Sequence, residues 1–203
     1  MAKSATRVGG VLLLLLGAGV IHAAGPPPTA EPCAACHGRE APSPHAAVPT
    51  IHGLPASVLG NALYDFRAGL RPCRKLDCAG SAECPESDFC AVVAALSDDE
   101  IELLAQWYAA QPYAAVDQPW DPQLAAQGRA LHEAHCESCH SGGGGDSLEQ
   151  AGILRGQPKP YLRTAIEDFR EERRIAVAEM DTRLRELSGA QVQALLEFYA
   201  SPR

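Results

Sequence analysis

The chain has 203 residues, 46% of them hydrophobic and only 5% aromatic, with 8 cysteines, 2 methionines and a formal charge of −8. That length suits one ordinary domain or two small ones, and the mixed composition excludes a disordered, collagenous or multi-pass membrane protein. So acidic a chain offers no basic patch to displace counterions from phosphates, which excludes nucleic acid and points to proteins or small molecules as partners.

Lys3 and Arg7 open the chain, Val8 to Val20 form an apolar run too short for a comfortable membrane span, and Ile21 to Gly25 give a small-residue exit. This pattern reads as a secretory signal peptide over residues 1–24, with a retained N-terminal anchor as the alternative. Cleavage near Ala23 or Ala24 places the mature protein in the periplasm, an oxidising space where disulfides persist, with no membrane span left in it.

The rest of the chain repeats itself. At an offset of 103, Cys33-Ala-Ala-Cys36-His37 lies over Cys136-Glu-Ser-Cys139-His140, Gly53 over Gly156, and Asp65-Phe66-Arg67 over Asp168-Phe169-Arg170. Towards the end of each half the offset becomes 91, with Ser97 over Ser188 and Trp107-Tyr108-Ala109 over Phe198-Tyr199-Ala200. Two copies of one small domain account for this, residues 25–112 and 122–203, joined by a linker at 113–121. The first copy carries an insertion at about 71–92 that holds Cys73, Cys78, Cys84 and Cys90.

In chain order, the first copy predicts a helix near Ala56–Arg67 and another after the Ser97-Asp-Asp-Glu100 capping box, with Ile101, Leu104, Ala105 and Tyr108 on its apolar stripe. The second copy predicts a helix from Pro122 to Cys136, with Leu124, Gln127, Gly128, Leu131 and His135 along it. A further helix is expected near Lys159–Arg170, and a last one after the Ser188–Gln191 box. Gly142 to Gly145 fit no dinucleotide fingerprint and read as a flexible loop. Strand signals are weak throughout, so the fold class is all-α.

The spacing Cys-x-x-Cys-His lets two thiols on one turn add to the vinyl groups of a haem while the adjacent imidazole reaches the iron. A redox dithiol, half of a zinc site and chance are the competing readings. Recurrence of the motif at the same place in both copies favours two covalently bound haem c groups. Cys33, Cys36, Cys136 and Cys139 are then the attachment points, and His37 and His140 the iron ligands. Met180, the one methionine besides Met1, is the expected second axial ligand of the second haem, from a loop crossing its face. Phe89 stands at the matching position in the first copy and cannot ligate iron. Three possibilities remain for that haem: a Cys90 thiolate, a histidine such as His45 or His52, or five-coordination. Against the thiolate, Cys73, Cys78, Cys84 and Cys90 are even in number and close in sequence, as two disulfides would require. Arg170, Arg173 and Arg174, with Glu171 and Glu172, read as propionate partners, a subunit interface or a solvated helix face.

The residues CESCH (136–140), AGILRGQPKPYL (151–162), DFREERR (168–174) followed by Met180, LREL (184–187) and FYAS (198–201) carry a resemblance. They are similar to the dihaem class I cytochromes c of the cytochrome c4-like group, and more closely to the dihaem cytochrome subunit of flavocytochrome c sulfide dehydrogenase. The resemblance implies two tandem class I cytochrome c domains. It also implies the haem and ligand roles already given for the Cys-x-x-Cys-His residues and Met180. It further implies a separate FAD-containing sulfide dehydrogenase flavoprotein as electron donor and a soluble acceptor such as a small cytochrome. The chain itself would then be an electron-transfer subunit with no catalytic site of its own. The alternatives are a free dihaem carrier serving a terminal oxidase or other respiratory partner, a thiosulfate dehydrogenase with a cysteine-ligated haem at Cys90, and a haem-free zinc or disulfide protein.

Overall fold

A computed structural model describes residues 25–73, 89–147 and 151–202. The predicted signal peptide, Cys78 and Cys84 lie outside these. Among the described residues there is no strand. A 3-10 turn, Pro28–Ala30, leads into α1 (Glu31–His37), α2 (Ala56–Arg67), α3 (Phe89–Ala94) and α4 (Asp98–Ala109). The second half holds α5 (Pro122–His135), the short turn α6 (Ser141–Gly144), α7 (Lys159–Arg170), α8 (Ala178–Glu186) and α9 (Gly189–Ala200).

The repeat read from the sequence is a repeat of elements. α2 and α7 both run 12 residues and sit 103 apart, while α4 and α9, also 12 residues each, sit 91 apart. Both predicted capping boxes form. Glu100 Oε2 accepts the Ser97 amide at 2.8 Å and Gln191 Oε1 accepts the Ser188 amide at 2.8 Å, while each serine hydroxyl accepts the amide three residues on. Such caps satisfy donors that a helix start otherwise strands, at about 1 kcal/mol each.

The expected stripe of α4 is buried: Ile101, Leu104, Ala105 and Tyr108 all face inward. α9 goes further and is buried on every side from Ala194 to Ala200, because α5 crosses it on the face away from α7. The two helices approach so closely at Gly128 that an added Cβ would collide with the Ala194 carbonyl and come within 2.8 Å of the Phe198 Cβ. The buried face of α5 is Ala125, Gly128 and His132, flanked by Leu124 and Leu131. Gln127 and His135, expected on that face, are exposed. A histidine takes the inward position because both its ring nitrogens find partners there.

Two pairings at repeat-related positions, one polar and one apolar, join the halves. Gln157 Oε1 accepts the Thr50 amide at 2.9 Å and its Nε2 donates to the Thr50 carbonyl at 2.8 Å, with both residues buried. At the repeat-related positions, Leu54 and Ile153 join one apolar cluster with Leu59, Leu104 and Tyr108. The connecting segment is strapped down: the Tyr113 hydroxyl donates to the Arg155 carbonyl at 2.7 Å and the Val116 amide to the Gly156 carbonyl at 2.8 Å. Gly53 and Gly156 both hold left-handed backbone, φ 73° and 78°, and their amides bond the Tyr108 and Tyr199 carbonyls. The strap lies over each glycine where a side chain would stand, Tyr113 over Gly53 and Ala115 over Gly156.

Candidate functional site

α1 carries the first motif. Spacings of three and four residues bring Cys33, Cys36 and His37 to one face of the helix, and Gly38, at φ 83°, ends it directly after His37. The His37 Nδ1 lies 2.8 Å from the Pro49 carbonyl, which fixes the ring proton on Nδ1 and turns Nε2 into the free lone pair. Burial lowers His37 to about 4, with the Pro49 carbonyl opposing part of that fall. Burial also pushes the Cys33 thiol up to about 11 and raises Cys36. The imidazole is therefore neutral at pH 7, the form that ligates a metal.

A small cavity beside this motif is lined by Pro32, Cys33, Cys36, His37, Phe89 and Val92. Phe89, at the head of α3, thus shares the first motif's cavity, its ring edge-on to Phe66 at 4.8 Å. Neither candidate histidine lines the cavity. His52 is buried edge-on against Tyr108 at 5.1 Å, and His45 sits in the loop after α1. The Cys90 thiolate is corrected by the structure: Cys90 is disulfide-bonded to Cys73, with Cα atoms 5.7 Å apart, and a disulfide sulfur has no thiolate to offer iron.

The second motif follows α5 without a break, the Cys136 amide bonding His132 and the His140 amide bonding Cys136. Burial lowers His140 here too; the Gly152 carbonyl, repeat-related to that of Pro49, opposes part of the shift but does not reach hydrogen-bond geometry with Nδ1. Burial raises the Cys136 thiol, offset in part by the Tyr199 hydroxyl. Cys139 is exposed.

Glu137, inside the motif, has a part that sequence reasoning missed. Its carboxylate accepts the amides of Gly142 at 2.9 Å and Gly143 at 3.1 Å, and meets His132 Nε2 at 2.7 Å. His132 Nδ1 in turn lies 2.9 Å from the Tyr199 hydroxyl. Gly142 and Gly143 can aim successive amides at one carboxylate because both hold left-handed backbone, φ 62° and 66°. The glycine run read as a flexible loop is instead a turn wrapped on Glu137. The available signal was an acidic residue between the two motif cysteines, five residues before a glycine pair.

Met180 lies half-buried in the first turn of α8, a helix packed against α7, where a loop was expected. α8 is tied down by Arg185, which bonds Asp181 at 2.9 Å and Glu172 at 2.8 Å. Of the arginine run, Arg173 pairs with Asp168 at 2.8 Å and with Glu171. Arg174 stacks on Phe169 at 4.3 Å as its repeat partner Arg71 stacks on Phe66 at 4.4 Å. Both guanidiniums bear on Tyr161, whose hydroxyl accepts from Arg71 at 3.4 Å; burial would raise that phenol, and the two cations outweigh it.

Two repeated helical units, each presenting two thiols and a neutral imidazole on one turn, define a dihaem c-type cytochrome. Residues 123–198 match the family model described as cytochrome C oxidase, cbb3-type, subunit III. The chain is 31% identical over 175 residues to cytochrome c4 of Pseudomonas aeruginosa, covering 79% of each chain. It is 28% identical over 186 residues to the thiosulfate dehydrogenase electron acceptor of Stutzerimonas stutzeri, covering 86% of this chain and 80% of that one. The structure of reduced cytochrome c4 from Pseudomonas stutzeri superposes with a TM-score of 0.69 at 27% identity, over 84% of this chain and 93% of that chain. The chain belongs to the cytochrome c4 family, and it is an electron carrier with two covalently bound haem c groups.

Proposed function

We propose that this cytochrome works in the periplasm as the electron-accepting subunit of a flavoprotein sulfide dehydrogenase and passes the electrons on to a soluble acceptor. The observation that carries this reading is the inequivalence of the two copies: Phe89, which lines the first motif's cavity, stands at the repeat position of Met180. Bound haem supplies a one-electron iron couple whose potential follows its axial ligands. Sites with different ligands suit electron flow in one direction, from a fixed donor at one end to an acceptor at the other. The sequence block 151–187 supports the same reading through its resemblance to the sulfide dehydrogenase cytochromes.

In this reading Cys33, Cys36, Cys136 and Cys139 hold the two haems, and His37 and His140 face the irons with Nε2. Met180 serves the second iron. Arg71 and Arg174, the latter desolvated by burial, offer two cations to the carboxylates that a haem carries.

A second reading rests on the relative named as a thiosulfate dehydrogenase electron acceptor: the donor is then a thiosulfate-oxidising enzyme. Stopped-flow reduction of the holoprotein separates the two. Sulfide with the flavoprotein should reduce it, and thiosulfate with thiosulfate dehydrogenase should not. The converse result establishes the second reading, and reduction by neither points to a free carrier serving a terminal oxidase or another respiratory partner.

A further inference from the structure

α4 and α9 are one helix in two copies, yet they are covered differently. On α9, Ala194, Glu197 and Phe198 are 2%, 5% and 1% exposed, because α5 lies across them. Their counterparts on α4 are Leu103, Gln106 and Trp107. Leu103 is 50% exposed, Gln106 is exposed, and Trp107 turns only part of its ring to the core. The counterpart of α5 would span residues 19–32. Prolines at 26, 27 and 28 exclude a helix interior ahead of α1, and among the described residues of that span the turn Pro28–Ala30 packs on α4. Among the described residues, the first copy keeps the helix without that cover.

We propose that this face of α4 is a docking surface for an amphipathic helix of a partner protein, with small and apolar residues along its seam and lysine or arginine on its flanks. The second half of the molecule shows what such a face accepts: a helix brought close by a small residue at the crossing. The charge of the partner follows from the rim. Asp99 and Glu102 are exposed beside Leu103, in a chain of formal charge −8. A second copy would set these carboxylates against their own kind, so the surface selects a cationic partner rather than itself. Half-exposed Leu103 is the residue on which such an interface would centre.

The test is calorimetric titration of the holoprotein with a synthetic sixteen-residue helical peptide that has leucine and glycine on its seam and lysine on both flanks. Saturable one-to-one binding is expected. Leu103→Glu, at an exposed position that should leave the haem spectrum unchanged, should weaken it at least ten-fold; Ile175→Glu, on another exposed apolar side chain, should not. A glutamate-flanked version of the peptide should bind at least ten-fold more weakly. Absence of binding, indifference to Leu103→Glu, or equal binding of the glutamate peptide overturns the proposal. It is also overturned if protein beginning at Gly25 binds the peptide while protein retaining residues 1–24 refuses it, since the cover is then the chain's own N-terminal segment.

Discussion

At the scale of single residues, the motif cysteines and histidines were legible because haem attachment fixes their spacing. Glu137 was not, because its role depends on two glycines with left-handed backbone turning their amides towards it. Burial alone would raise its carboxyl, but the Gly143 amide, His132 and the Gly142 amide hold it below the usual glutamate range. Glu137→Gln should destabilise the protein by about 1 kcal/mol, a figure kept small because the carboxylate is partly exposed. A carboxyl with a lower pKa folded than unfolded contributes fully above its ordinary value. That contribution is lost as the pH falls through the lowered one. Urea denaturation should therefore separate the variant from the wild type near neutrality and bring the two together in strong acid. On the proposed role of Met180 as ligand of the second iron, Met180→Leu should remove the methionine–iron charge-transfer band of that haem and lower its potential, leaving the first couple in place in a redox titration. Cys90→Ser should not change the optical spectrum of either haem, because the Cys90 sulfur is held by Cys73.

At the scale of elements, α2, α4, α7 and α9 were readable because caps and apolar spacing agree in both copies. α5 was readable as a helix and its face in part: Gly128 and Leu131 pack on α9 as the spacing expects, but Gln127 and His135 are exposed. Apolar periodicity gives no place on that face to Ala125 and His132, both buried there. Met180 was expected in a loop for a similar reason: α8 is mostly charged, with no buried residue to mark it. Gly128 carries a cost that can be measured. Gly128→Ala sets a methyl group against the Ala194 carbonyl, and the helices must part, at about 3 kcal/mol. The loss should appear as a lower denaturation midpoint with unchanged slope. Ala68→Gly, one residue beyond α2, should cost far less in the same measurement, since it removes no buried contact.

At the scale of the whole molecule, the repeat offsets announced two copies but not how the copies meet. Two of the pairs that join them occupy repeat-related positions and have opposite chemistry, Thr50 with Gln157 and Ile153 with Leu54. An internal alignment gives no hint that one pair is polar and the other apolar, since each residue is ordinary in its own half. Gln157→Ala would strand the Thr50 amide and carbonyl in a buried interface, at about 2 kcal/mol. Calorimetry of the variant should show the single unfolding transition broaden or split as the halves lose their polar link.

The strap between the halves carries a consequence for assembly. Tyr113 and Ala115 rest on the two left-handed glycines, Gly53 and Gly156, so both pegs of the strap lie within three consecutive residues. Exchange of halves between two copies would have to pull a peg from its glycine and give up the Tyr113 bond to Arg155 or the Val116 bond to Gly156. The strap thus opposes domain swapping, and each first half stays with the second half made on the same chain.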